Sequence, residues 1–103
     1  MTATPTITLH PEARAVEGKR YAVHVDGARV GSVYQGIVSH DRGPRNARFA
    51  TVRTRSLRWF SSPGRGWCDT RYEAIAVVLG LHLGGPPAQH FNLARTAHVV
   101  GEA

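Results

Sequence analysis

Residues Thr70 to Leu83 form the one stretch of this chain that reads as a long helix, and both of its ends are marked. Thr70-Arg71-Tyr72-Glu73 has the spacing of a capping box, in which the Thr70 hydroxyl accepts from the Glu73 amide and the Glu73 carboxylate reaches back to the Thr70 amide. Ile75, Val78, Leu79 and His82 recur at helical spacing, and Ala74, Val77 and Leu81 widen the apolar stripe. Gly84-Gly85-Pro86-Pro87 ends the helix, because glycine takes up left-handed backbone and proline cannot continue the hydrogen-bonded ladder. A stripe of this kind has to be covered, so the rest of the chain must supply a surface to pack on it. A second short helix is expected around Ala88 to Ala97, with Phe91, Ala94 and His98 on one side.

That surface reads as β-sheet. Arg20 to Val25 alternates and is rich in β-formers, and Asp26-Gly27 follows, a dipeptide suited to a two-residue hairpin turn whose central residues need positive φ. Val30, Val33, Tyr34 and Ile37 continue the pattern, so residues 20–25 and 29–37 are predicted to pair as an antiparallel hairpin. Ser39 to Asn46 (SHDRGPRN) has the composition of a loop. A further strand is expected over 48–60. There, Phe49, Thr51, Arg53, Arg55, Leu57 and Trp59 would share one face of a regular strand, mixing arginines with large apolar groups. A bulge or break near 54–56 would separate them, since a slip of one residue exchanges the faces. Ser61 to Gly66 (SSPGRG) reads as a turn. Residues 1–18 read as a loose arm, or as an edge strand at Thr6 to Leu9.

The chain of 103 residues suits one domain with one modest core. Residues 19–85 are expected to form that core domain and 86–103 a tail or short helix. Hydrophobic residues at 42% and charged residues at 19% fit a globular rather than a disordered chain. Cys68 is the sole cysteine, so no intrachain disulfide forms, which fits a reducing cytoplasm. Met1 to Leu9 does not read as a signal peptide, and the apolar run Ala74 to Leu83 is too short to span a bilayer.

Charge sets the direction of the functional reading. Thirteen basic residues face seven acidic ones, a net charge of +6 with neutral histidines, and every basic residue except Lys19 is arginine. A GC-rich genome would account for arginine in place of lysine, but not for the net charge. Between Arg42 and Trp67 lie Arg42, Arg45, Arg48, Arg53, Arg55, Arg58 and Arg65, with no Asp or Glu among them after Arg42. Phe49, Trp59, Phe60 and Trp67 are interleaved. Guanidinium groups along a strand and its flanking loops make a stripe of positive potential that attracts phosphate, and aromatic faces stack on bases. The blander reading is a solvated strand whose arginine stems cover apolar surface, with both tryptophans in the core.

Other chemistries are poorly served. His10, His24, His40, His82, His90 and His98 are scattered and lack metal-ligand spacing with Cys68. A nuclease-like site could be imagined from His24 or His40 with Asp41, but nothing in the sequence fixes these groups together. No phosphate-binding loop, nucleophile elbow or dinucleotide fingerprint occurs. Neither an enzyme nor a cofactor is expected.

Three marks carry a resemblance: Val25-Asp26-Gly27-Ala28-Arg29-Val30-Gly31, Arg58-Trp59-Phe60, and Thr70-Arg71-Tyr72-Glu73-Ala74-Ile75. Together, from Tyr21 to Leu83, they resemble a group of small actinobacterial proteins carried by phages, plasmids or integrated elements. The layout is similar to the three-stranded-sheet-plus-helix domain of AP2-type and integrase arm-binding proteins. That resemblance implies a sheet laid in the major groove of DNA, with Arg53, Arg55 and Arg58 reading from its exposed face. The basic segment from Gly36 to Arg48 and the tail beyond the helix depart from the pattern.

The expectation is therefore an α+β domain with a three- or four-stranded antiparallel sheet packed on the helix at 70–83. Its open face would carry the arginines. Arg42, Arg45, Arg48, Arg53, Arg55, Arg58, Arg65 and Trp59 are the candidate nucleic-acid-binding residues, and duplex DNA is expected ahead of RNA. The competing partner is an acidic host protein or a second copy of the chain, bound through the same stripe.

Overall fold

The computed structural model of the protein describes residues 4–12, 18–42, 52–64 and 66–101, with 40–42 and 52–54 described through their backbone. The elements run β1 (Ile7–Pro11), β2 (Arg20–Val25), β3 (Ala28–Arg42), β4 (Val52–Ser62), β5 (Trp67–Cys68), α1 (Arg71–Leu83), α2 (Phe91–Arg95) and β6 (His98–Val99). A short 3-10 turn, Pro87–His90, leads into α2. The strands form one sheet in the order β5-β4-β3-β2-β1-β6, and α1 packs on one face of it. The fold is α+β, as the sequence suggests, but the sheet has six strands and is mixed, because β6 runs parallel to β1. Two of these strands are two residues long, and β6 reaches β1 from the far end of the chain. Neither feature leaves a periodic signature in the sequence.

The Asp26-Gly27 turn forms as its composition requires, with φ of 51° and 87°, and Val25 pairs with Ala28 across it. A bulge between Val23 and His24 shifts the register by one residue, so that Val23 faces Gly31 while His24 faces Arg29. Residues Ile7 to Pro11 are not an edge strand. β1 lies between β2 and β6, with Ile7 at 1% and Leu9 at 0% exposure. Each such side chain contributes about 1.5–3 kcal/mol of burial.

The core combines these residues with Tyr21, Val23, Val25 and Val33 of the sheet and Ala74, Ile75, Ala76, Val78 and Leu79 of α1. His82, Leu81 and Leu83 at the end of the helix are exposed. The tail packs back on the helix: Ala94 is buried, and Phe91 meets Tyr72 edge to face at 5.5 Å.

The capping box forms in altered shape. Thr70 stands at the N-cap without accepting an amide; its hydroxyl donates instead to Glu73 Oε1 at 2.7 Å. At the other end the Gly84 amide, with φ of +90°, returns to the Gly80 carbonyl.

The largest departure concerns the segment after Tyr34. Ser39 to Arg42 was expected as loop, yet β3 runs on to Arg42 and pairs without interruption with β4, from Ser32 opposite Ser62 to Arg42 opposite Val52. No bulge interrupts residues 54–56. The backbone ladder of a long hairpin carries these polar residues because alternate residue pairs exchange amide–carbonyl hydrogen bonds across the strands, while the outward amides of the two-stranded part face solvent.

Candidate nucleic-acid interface

A sheet with one covered face has one open face, and the alternation of each strand assigns side chains to them. Tyr21, Val23, Val33 and Trp59 face α1. Arg20, Tyr34, Arg58 and Phe60 occupy the alternate positions and face away. Beyond the end of the core, β3 and β4 continue as a two-stranded ribbon from Gly36 and Arg58 to Arg42 and Val52. Seven paired residues at about 3.3 Å each make this ribbon on the order of 20 Å long. Among the described residues from Gly36 to Ser39 and Arg55 to Arg58, none is buried.

The regular register distributes the arginines between two faces. Arg55 shares the side of Leu57 and Trp59, whereas Arg58 lies on the open face. The three sheet readers implied by the resemblance, Arg53, Arg55 and Arg58, therefore do not share one surface. The expected bulge would have brought them together, and its absence is the reason they separate. Arg55 is exposed, opposite Ser39, and makes no ion pair among the described residues. Arg53 stands in register with Asp41, the nearest carboxylate in sequence to the arginine run, and Arg42 with Val52. Arg45, Arg48 and Arg65 lie outside the described residues, as does Phe49.

Arg58 is the most constrained of the set. Its Nε lies 3.2 Å from Asp69 Oδ1, its Nη1 donates to the Leu57 carbonyl at 3.2 Å, and its guanidinium carbon sits 5.1 Å from the Trp67 ring centre. The buried Nε has no hydrogen-bond partner among the described residues despite the short ion-pair distance. Trp59, half-buried, packs against the core and stacks on Tyr21 at 6.4 Å. Trp67 is the exposed tryptophan, at 43%.

The other cations of the open face are Arg20 and Arg29, which share Glu12 at 3.5 and 3.4 Å. Further along, the rings of His10 and His24 approach to 3.9 Å, and Thr8 Oγ1 hydrogen-bonds His10 Nε2 at 3.2 Å. Sequence reasoning named Tyr34, Arg20, His10 and His24 without bringing them together, because their grouping depends on which strands neighbour one another.

Among the described residues no three His, Cys, Asp or Glu side chains gather as metal ligands. His24 pairs with Arg29, and the strand from Arg29 to His40 covers on the order of 35 Å, so His24 and Asp41 are far apart. Cys68 faces the helix side; burial pushes its thiol up, and the carboxylates of Glu73 and Asp69 add to the effect, so it stays protonated at neutral pH. No helix among the described residues is long and apolar enough to cross a membrane. Comparison with protein-family models, curated proteins and solved structures found no match.

Proposed function

We propose that the protein binds nucleic acid, duplex DNA ahead of RNA, using the β3–β4 ribbon and the arginines of the sequence that joins its two strands. The observation that carries this reading is the ribbon itself. It extends past the core and carries part of the arginine run, Arg42 at the end of β3 and Arg53 and Arg55 on β4, while Arg45 and Arg48 lie in sequence between the two strands. The major groove admits a two-stranded β-ribbon, and arginine suits both phosphate and guanine edges. Cations on both sides of a ribbon suit an element flanked by two phosphate backbones, where a one-faced stripe would suit a flat approach. Arg58 serves the base of the ribbon, held by Asp69 and Trp67, rather than as a reader.

Salt dependence tests the electrostatic part. If Arg42, Arg45, Arg48, Arg53, Arg55 and Arg65 each neutralise a phosphate, log affinity for duplex DNA falls against log salt with a slope of about −5. Fluorescence anisotropy with a labelled duplex across a salt series measures it, and a slope near zero rejects the reading.

A second reading has its own observation. Ile37 and Leu57 are paired across the ribbon at 41% and 51% exposure, an apolar pair that an acidic protein partner or a second copy of the chain would cover. Co-purification of a protein that survives nuclease treatment would favour it.

A further inference from the structure

Arg20, Tyr34, Phe60 and Trp67 stand in one cross-strand row on the open face, one from each of β2, β3, β4 and β5. Arg20 pairs with Tyr34, Tyr34 with Phe60, and Phe60 with Trp67. The Tyr34 and Phe60 rings lie within 12° of parallel with centres 5.5 Å apart, and the Arg20 guanidinium is 5.3 Å from the Tyr34 ring centre. Phe60 leans over Gly36: a Cβ there would lie 2.8 Å from Phe60 Cε2, so the missing side chain makes room for the ring. From Tyr34 to Trp67 the row crosses two strand spacings, roughly 10 Å at about 4.8 Å each.

The core does not account for this row, because α1 closes the opposite face. Three aromatic rings in register on the side of the sheet that no described helix covers are a surface for flat, apolar-faced groups. The charges around them select which flat group. Arg20 and Arg29 bracket Glu12, and Arg58 faces Asp69, so three guanidiniums stand against two carboxylates. Arg58 also connects the row to the ribbon, since it pairs with Gly36 one step from Phe60.

We propose that Tyr34, Phe60 and Trp67 form a stacking site for unpaired nucleobases, with Arg20 and Arg58 beside it for the adjoining phosphates. The occupant is a single-stranded segment of the nucleic acid that the ribbon holds, so the inference rests on the nucleic-acid reading above. Paired bases present no free face to such a row, whereas unpaired bases stack on aromatic rings with little regard to sequence.

The test uses the full chain and three probes of equal length: a labelled oligothymidylate, an abasic strand with the same phosphates, and a duplex. Oligothymidylate is expected to bind at least about tenfold more tightly than the abasic strand, with quenching of tryptophan fluorescence. Trp67→Leu, at an exposed position on a short strand, is expected to weaken oligothymidylate binding about tenfold and leave abasic-strand and duplex binding within about twofold. Tyr34→Leu with Phe60→Leu should do the same. Equal affinity for abasic and thymidylate strands overturns the proposal without requiring any variant to fold. So does a dimer in sedimentation that shields Trp67 from a soluble quencher, which would make the row an interface between copies. Retained thymidylate binding with no duplex binding sinks the ribbon reading and leaves the row standing. Duplex binding without thymidylate binding does the reverse.

Discussion

A Cβ at Gly31 would lie 2.6 Å from the Ser62 carbonyl oxygen and 2.8 Å from Val78 Cγ1. One of these neighbours is backbone of β4 and the other a core side chain of α1, so neither can yield without moving the sheet or the helix. Gly31→Ala is therefore expected to destabilise the fold by about 1–3 kcal/mol, measured by urea denaturation, and a loss below about 0.5 kcal/mol would contradict this packing. Gly36 looks similarly crowded, but its neighbour is the movable Phe60 ring. The two glycines thus have different work. One lets a helix sit on the sheet, and the other lets a ring lie on its far side. The arginines divide at this scale too. Arg58 is held by Asp69, the Leu57 carbonyl and Trp67, while Arg55 stands exposed on the ribbon's other face.

The β2–β3 hairpin sets the register from which both faces follow. Its turn needs left-handed backbone at Asp26 and Gly27, and Asp26 also ties β1 in place. The Asp26 amide donates to the Thr6 carbonyl at 2.9 Å, and Asp26 Oδ1 accepts from the Thr6 amide at 2.9 Å. Gly27→Ala places a Cβ on a residue with φ of +87°, although nothing lies within 4 Å of it. The expected cost is about 1–2 kcal/mol of strain, with no loss of contacts. Thermal unfolding followed by circular dichroism would measure it. An effect as large as that of a core truncation would mean that the turn carries more than local geometry.

On the scale of the molecule, the covered core and the ribbon are separable in their contributions. No described residue between Gly36 and Arg58 belongs to the buried core. Replacing residues 40–54 by Asn-Gly, to join Ser39 directly to Arg55 where they already pair, should leave the domain folded. Its unfolding midpoint should stay within about 5 °C, a shift corresponding to roughly 1 kcal/mol for a domain of this size. Duplex affinity should fall at least about tenfold, because Arg45 and Arg48 are removed with the sequence between the strands, and Arg42 and Arg53 with the strands themselves. Retained affinity would place the duplex contacts elsewhere. Oligothymidylate stacking on the row should survive the shortening in part, since Tyr34, Phe60 and Trp67 are all retained.

The features legible in the sequence are those governed by neighbours along the chain. The helix ends at Gly84 because glycine permits φ of +90° there, and the hairpin turns at Asp26-Gly27 for the same kind of reason. Ala74, Ile75, Val78 and Leu79 are buried as their spacing foretells, since a helical period repeats whatever lies opposite. The tertiary structure alone decided how strands found one another. It placed β1 inside the sheet, added β6 in parallel from the far end of the chain, and extended β3 through a segment with the composition of a loop. The same holds for the candidate site. A strand's side chains change faces at every residue, so an unbroken register separated Arg55 from Arg58 and aligned Arg20, Tyr34, Phe60 and Trp67. Those four residues are spread over four strands, and no spacing along the chain links them; pairing between the strands is what makes them neighbours.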